Sequence, residues 1–130
     1  MRRLSICSIA LFVLAVGCLN AQSNRVFELR VYRAVPGKIQ ALEARFRDTT
    51  AKLLAKHDIH VLGYWTGQDA EANSFYWLVG HASREEAKQH YQALANDPAF
   101  QAMVKSEQQE KLVEKVESIF LTPADFSAIK

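Results

Sequence analysis

The hydrophobic period of the chain changes directly after the first predicted strand, and this change constrains the fold more than any other feature. In FELRVY, residues 27–32, side chains alternate between an apolar and a more polar set, which predicts a strand over residues 26–33. After the turn residue Pro36, apolar residues recur at spacings of three and four, which predicts an amphipathic helix over about residues 37–56. From residue 26 onward, the chain is therefore predicted to form a strand followed by a long helix.

The rest of the chain predicts three more strands and two more helices. IHVLGYWTG and SFYWLVGH, residues 59–67 and 74–81, are rich in β-branched and aromatic residues and are joined by a short loop. The capping box SREE begins one helix, and Asp97 followed by Pro98 begins another, shorter one. A fourth strand is predicted over about residues 113–121.

The order β-α-β-β-α-β predicts an α+β domain of the ferredoxin-like type. In this fold the helices cover one face of a four-stranded antiparallel sheet and leave the other face open. The open face must then contact solvent, a ligand or another subunit.

The N-terminal segment is typical of a secretory signal peptide. Arg2 and Arg3 precede an uncharged apolar run that is too short for a comfortable membrane span. Cleavage after Ala21 is one interpretation. The other is that LAVGC resembles a bacterial lipobox, in which Cys18 would carry the lipid.

We therefore expect an exported protein, periplasmic or extracellular, that meets the membrane only through its leader or a lipid anchor. The predicted divisions of the chain are a signal peptide (residues 1–21), a linker (22–25), a ferredoxin-like domain (26–122) and a C-terminal tail (123–130).

Charge and cysteine content restrict the function. Cys7 and Cys18 both lie in the leader, so the exported domain has no disulfide and no thiol chemistry. Two of the 16 basic residues, Arg2 and Arg3, also lie there, and the remaining basic residues balance the 14 acidic ones. A neutral domain without a basic stripe argues against nucleic-acid binding.

Glu28, Arg30 and Tyr32 share one face of the first strand and are candidate ligand-binding residues. Because the apolar residues of this strand suit the helix side, we expect these three on the open face. The first strand is central in a ferredoxin-like sheet, so this face is hard to keep hydrated. Glu28 and Arg30 can then form either a structural ion pair or a pair that orients a ligand.

His60 and Tyr64 share one face of the second strand if it alternates regularly, and we expect them on the open side as further candidates. His60 alone is more simply interpreted as a partly exposed strand histidine, because one histidine without a partner specifies little. The sequence has no metal-ligand spacing, no glycine-rich phosphate loop and no G-x-S-x-G motif. It therefore implies no metal and no particular cofactor.

Several fragments, taken in their order, resemble the NIPSNAP family: FELRVY before PGK, then HVLGYW, YWLVGHAS, DPAFQ and LTPADFS. The resemblance extends over about residues 26–127 and departs at Asp58, where the family leads us to expect glycine. It implies a dimeric α/β-barrel, in which two ferredoxin-like sheets face each other; the leader implies a bacterial exported member.

The resemblance implies no agreed reaction, because relatives of this fold include cofactor-poor monooxygenases, haem-degrading enzymes and small-molecule binders. We expect a homodimer that binds a small apolar or aromatic molecule in the barrel interior. One alternative is a monooxygenase or isomerase in which Arg30, His60 or Tyr64 orients the substrate. The other is a structural dimer without a ligand.

Overall fold

The computed structural model describes residues 25–130, so the predicted signal peptide, Cys18 and most of the linker lie outside the described residues. No helix within residues 25–130 is long and apolar enough to cross a membrane. The elements in chain order are β1 (Val26–Ala34), α1 (Ile39–Arg45), a π-helical segment (Phe46–Thr50), α2 (Ala51–Lys56), β2 (His60–Thr66), a 3₁₀ turn (Asp69–Glu71), β3 (Ser74–His81), α3 (Arg84–Ala95), α4 (Pro98–Glu110) and β4 (Val113–Leu121).

The four strands form one sheet in the order β2-β3-β1-β4, with every neighbouring pair antiparallel. This confirms the ferredoxin-like α+β fold, and each strand lies within two residues of its predicted bounds. The two strands in the middle are β1 and β3, as their positions in the pattern predicted. The second predicted helical region is longer than expected, because α4 extends over 13 residues.

The predicted helix boundaries have the expected local chemistry. The Ser83 hydroxyl accepts a hydrogen bond from the Glu86 N–H at 3.1 Å, and the Asp97 carboxylate accepts one from the Ala99 N–H at 2.8 Å. Asp58, after α2, has φ of 56°, a left-handed conformation that aspartate tolerates better than most residues. The substitution of aspartate for the expected glycine therefore leaves this turn intact.

The first helical region contains a π-helical segment that the periodicity did not predict. Leu42, Phe46 and Thr50 follow each other at steps of four, and all three are buried. Steps of four overshoot the turn of a regular α-helix, whereas a π turn is wider and keeps such residues closer to one face. The segment therefore directs Phe46 into the centre of the core.

The expectation that Glu28, Arg30 and Tyr32 lie on the open face was wrong. Tyr91 of α3 donates a hydrogen bond to Glu28 at 2.8 Å, and the Tyr32 ring packs edge-on against Phe46 at 5.3 Å between centroids. These residues therefore lie on the face that the helices cover. The reason is that buried hydrogen-bond partners satisfy the polar set, so the apolar set did not have to face the helices.

The expectation that His60 and Tyr64 share a face was also wrong. Val61 pairs with Val79, but Gly63 pairs with Leu78, so β2 has one more residue than β3 at this point. This β-bulge reverses the alternation of side chains in the strand. Tyr64 pairs with Trp77 and lies on the covered face, whereas His60 is exposed on the open face.

The open face of the sheet is apolar. Its central strand contributes Phe27, Leu29 and Val31, of which the first and the last are buried. Around them lie exposed apolar side chains of the outer strands, namely Leu62, Trp65, Ile119 and Leu121. The C-terminal tail covers one end of this face, where Phe126 and Ile129 help to line a cavity of about 430 Å³ over Phe27 and Leu78.

Candidate functional site

An aromatic cluster occupies the covered face near β2. It comprises Tyr32 of β1, Phe46 of the π-helical segment, Tyr64 of β2, and Phe75 and Trp77 of β3. Phe46 lies at its centre, with ring-centroid distances from 4.8 Å to Phe75 up to 6.1 Å to Tyr64. The π-helical segment therefore places the one helical side chain that contacts all four sheet aromatics.

A cavity of about 430 Å³, the aromatic cavity, opens beside this cluster between the sheet and the first helices. Its lining residues are Glu43, Phe46, Arg47, Ala51, Tyr64, Thr66 and Phe75. The Thr66 hydroxyl donates a hydrogen bond to Glu43 at the polar side of the cavity. Burial raises the pKa of the Tyr64 phenol, so this hydroxyl stays neutral and can donate a hydrogen bond. Such a lining suits an apolar or aromatic molecule with a few polar groups.

A buried carboxylate network lies further along the same face, centred on Glu28. The Glu28 carboxylate accepts hydrogen bonds from Tyr91 at 2.8 Å, Arg30 at 3.1 Å and His81 at 3.2 Å. The Ser118 hydroxyl of β4 donates a fourth. The four donors come from α3 and from three strands, so Glu28 joins the helix layer to the centre of the sheet.

The charge of Glu28 is fixed by this network. Burial alone raises the pKa of a carboxyl, but the hydrogen bonds from His81, Ser118, Tyr91 and Arg30 outweigh it and lower the pKa of Glu28 to about 2. Burial and the nearby Glu28 charge raise the pKa of Tyr91. At neutral pH Glu28 is therefore a permanent anion, which suits it to hold Arg30 in place rather than to exchange protons.

Arg30 is held on several sides. It pairs directly with Glu28, as predicted, and its guanidinium carbon lies 5.5 Å from the Trp77 ring centroid and 5.6 Å from that of Tyr91. The Tyr32 ring lies at 5.9 Å on another side. Arg30 nevertheless keeps 22% of its side chain exposed, against 2% for Glu28. This cation is therefore restrained but still accessible.

The structure places the five predicted candidates in different parts of the sheet. Tyr64 lines the aromatic cavity, Tyr32 supports it from behind Phe46, and Glu28 and Arg30 form the adjoining polar network. His60 lies on the opposite face and has no place in this site. Among residues 25–130, no group of His, Cys, Asp and Glu has an arrangement that could hold a metal ion.

Sequence reasoning missed several residues of the site, which are Glu43, Phe46, Phe75, Trp77, His81, Tyr91 and Ser118. Neither His81 nor Tyr91 stands out from its local sequence pattern as a site residue. A usable signal did exist, because β3 alternates Phe75, Trp77, Val79 and His81 on a single face. If the helices are taken to cover this face, His81 is expected to lie near Glu28 on the neighbouring strand β1.

Comparison with solved structures supports the fold. A NIPSNAP family protein from Agrobacterium tumefaciens superposes with a TM-score of 0.75 and 25% identity, covering 82% of this chain and 99% of that one. An uncharacterized NIPSNAP-like domain protein from Burkholderia xenovorans has a TM-score of 0.74 and 20% identity, covering 81% and 90%. A putative antibiotic biosynthesis monooxygenase from Chloroflexus aurantiacus is more distant, with a TM-score of 0.52 and 19% identity over 82% and 99%.

No curated protein sequence matches the chain significantly. The sequence profile of the NIPSNAP family, in contrast, matches residues 27–128, which extend from β1 into the C-terminal tail. This match includes both the aromatic cavity and the Glu28 network. The chain therefore belongs to the NIPSNAP family.

Proposed function

We propose that this protein binds a small apolar or aromatic molecule in the aromatic cavity. The observation that carries the proposal is the cavity itself, of about 430 Å³, lined by three aromatic rings and a few polar groups. Its volume falls in the range of roughly 300–1,000 Å³ that is typical of small-molecule sites. The ligand would then lie between the sheet and the helices of one subunit, and not between two sheets.

We further propose that the protein is a homodimer whose subunits contact each other through their open faces. The support is the exposed apolar surface of this face, where Trp65 keeps 52% and Ile119 46% of its surface exposed. Apolar patches of this kind mark contact sites, and a two-fold symmetric pair is the commonest way to cover one. In this arrangement the dimer covers the open faces while the ligand sites stay separate.

The binding proposal is tested by filling the cavity from within. Ala51 lines the cavity, whereas Ala55 is exposed on the same helix, so Ala51→Phe and Ala55→Phe are matched variants. Isothermal titration with 2-methylnaphthalene should give saturable binding for the parent protein and for Ala55→Phe. Ala51→Phe should lose most of this binding, and equal affinity in all three proteins would contradict the site.

A monooxygenase is the second candidate function, and the likeness to the Chloroflexus aurantiacus structure suggests it. At 19% identity that likeness bears on the fold alone. The low pKa of Glu28 argues against this residue as an acid or base at neutral pH. Oxygen consumption with a panel of small phenols and quinols separates the candidates, because a binding protein leaves the panel unchanged. A structural dimer would give neither binding nor turnover.

Export is a separate proposal that rests on the N-terminal sequence. We expect the mature protein to lack the leader, and mass spectrometry of protein from its native source measures this directly. A mass that begins at Gln22 indicates a soluble exported protein, and a diacylglycerol on Cys18 indicates a lipoprotein. A chain that retains Met1 in the cytoplasm would contradict export.

A further inference from the structure

Two N–H groups on the covered face have no hydrogen-bond partner in the part of the chain that the structure describes. They are the indole Nε1 of Trp77 and the Nε of Arg30. Trp77 is only 2% exposed, so water does not reach it freely. A buried donor without a partner loses its hydrogen bond to water without replacement, and native proteins rarely leave one unpaired. These two donors therefore indicate a hydrogen-bond acceptor that is supplied from outside the chain.

A third unpartnered donor, the Nε of Arg45, lies elsewhere. Arg45 lines a groove between α1 and α4, beside Met103 and Glu107. This groove shares no lining residue with the aromatic cavity, so Arg45 does not line the space that a ligand would occupy there.

The residues that carry the two donors lie in register with Tyr64, which lines the aromatic cavity. Tyr64 pairs with Trp77, and Trp77 pairs with Arg30, so the three side chains form one row across β2, β3 and β1. Two strand spacings separate the ends of this row, which is roughly 10 Å. Tyr64, at the cavity wall, forms one end of the row and the Arg30 guanidinium forms the other. The Trp77 indole lies between them.

Arg30 has donors to spare for a ligand. Its guanidinium carries five N–H donors, and Glu28 takes a hydrogen bond from only one of its nitrogens, at 3.1 Å. Glu28 itself is held by Tyr91, His81 and Ser118 as well, so the anion does not need the rest of the guanidinium. The rings of Tyr32, Trp77 and Tyr91 partly shield the cation from water, which strengthens a charge-assisted hydrogen bond in this position.

We propose that the bound molecule is a carboxylic acid with an aromatic or apolar body, and that its carboxylate accepts hydrogen bonds from Arg30 Nε and Trp77 Nε1. The inference rests on the proposed function, because the body of the ligand occupies the aromatic cavity. Arginine is always charged and matches the geometry of a carboxylate, which favours an acid over a neutral analogue. A row of roughly 10 Å accommodates a molecule of about two fused rings with a carboxylate at one end.

The test compares 2-naphthoate with 2-methylnaphthalene, which has the same rings and no acceptor. Titration calorimetry gives both affinities, and the indole N–H signals in a ¹⁵N–¹H correlation spectrum report on the donor. The chain has only two tryptophans, so Trp65→Phe assigns the Trp77 signal. We expect 2-naphthoate to bind roughly tenfold or more tightly than its analogue. The acid alone should move the Trp77 indole proton downfield.

Two arginines on opposite faces of β1 provide matched variants. Arg30→Gln should lose the preference for the acid and keep the affinity for 2-methylnaphthalene, whereas Arg33→Gln, on the open face, should keep both. If Arg30→Gln does not fold, Trp77→Phe retains an aromatic ring without the N–H and should weaken only 2-naphthoate.

The outcomes separate this inference from the proposed function. Equal affinity for the two probes with an unmoved Trp77 signal overturns the acid and leaves the aromatic cavity in place. A preference for the acid that persists in both Arg30→Gln and Trp77→Phe also overturns the proposed carboxylate contacts. Failure of both probes to bind overturns the inference together with the proposed function.

Discussion

The two faces of the sheet differ in the side chains at their centres. On the covered face, Glu28 and Arg30 lie at the centre of β1, surrounded by aromatic rings and by donors from α3 and β4. On the open face, the same stretch of β1 presents Phe27, Leu29 and Val31. The charged set of an alternating strand can therefore face the helices when enough partners reach it.

Because of this difference, the two faces suit different functions. A carboxylate that four donors hold cannot easily move, so the covered face can keep a cation such as Arg30 in a fixed position. The open face has few directional contacts and gains most from the removal of apolar area from water. We interpret the covered face as the site of recognition and the open face as the surface of assembly.

Removal of Glu28 should have the largest effect on stability. Glu28→Ala leaves Arg30 without its counter-ion in a mostly buried position, which typically costs roughly 3–5 kcal/mol. The double variant Glu28→Ala/Arg30→Ala should recover part of this loss. Urea unfolding of the two single variants and the double variant, at one protein concentration, gives the coupling energy. Additive changes would mean that the pair is not buried in solution.

A charge on the open face should act on assembly and not on the covered face. Ile119→Glu places a carboxylate among exposed apolar residues, so we expect the dimer to dissociate while the fold is retained. Light scattering measures the mass, and far-ultraviolet circular dichroism measures the fold. Ser106→Glu, on the exposed side of α4, is the control and should remain dimeric. A dimer that survives Ile119→Glu would place the interface elsewhere.

The sequence predicted the order of the elements well because each one carries a local signal. Alternation predicted β1, and the capping groups Ser83 and Asp97 predicted the starts of α3 and α4. The candidate site was predicted in part, since Tyr64 and Arg30 lie where a ligand could contact them. Which face of each strand the helices cover was not predictable by alternation alone, because both faces of β1 carry buried residues and no residue of β1 is exposed.

Two further features depend on contacts that are distant in the chain. The extra residue in β2 is visible only from its pairing with β3, and it moved His60 away from Tyr64. The Glu28 network joins residues as far apart as Ser118, 90 positions later in the chain. No local period carries such information. The positions of the site residues therefore follow from the pairing of the strands and not from the local sequence.

Lowering the pH should destabilise the protein through protonation of Glu28 on the covered face. Its pKa is lowered from 4.5 to about 2 in the folded protein, so its ionised form contributes stability above pH 4.5. This contribution is lost as the pH falls from 4.5 towards 2. Glu28→Gln cannot titrate, so the free energy of unfolding should fall less steeply in this window than that of the parent protein. Equal slopes from urea unfolding would show that the carboxylate is solvated.

The smallest expected effect comes from replacing one tyrosine by phenylalanine on each face of the sheet. Tyr91 donates a hydrogen bond to the buried Glu28 at 2.8 Å, and Tyr76 on the open face donates one to Glu71 at 3.0 Å. Hydrogen bonds to charged groups contribute about 1.5–3 kcal/mol where water cannot replace them, so Tyr91→Phe should destabilise the protein by an amount in this range. Tyr76→Phe should cost clearly less.

The two tyrosine variants are a close match, because each loses one hydroxyl from a carboxylate that has other partners. Urea unfolding at a fixed protein concentration measures both. Water can hydrate the half-exposed Glu71 carboxylate after the change, whereas Glu28 is only 1% exposed among its hydrogen-bond partners. Equal losses in the two variants would mean that water replaces the lost hydroxyl at Glu28 as easily as at Glu71. Water would then weaken the charge-assisted hydrogen bonds of Arg30, and the covered face would lose the physical basis for selective recognition.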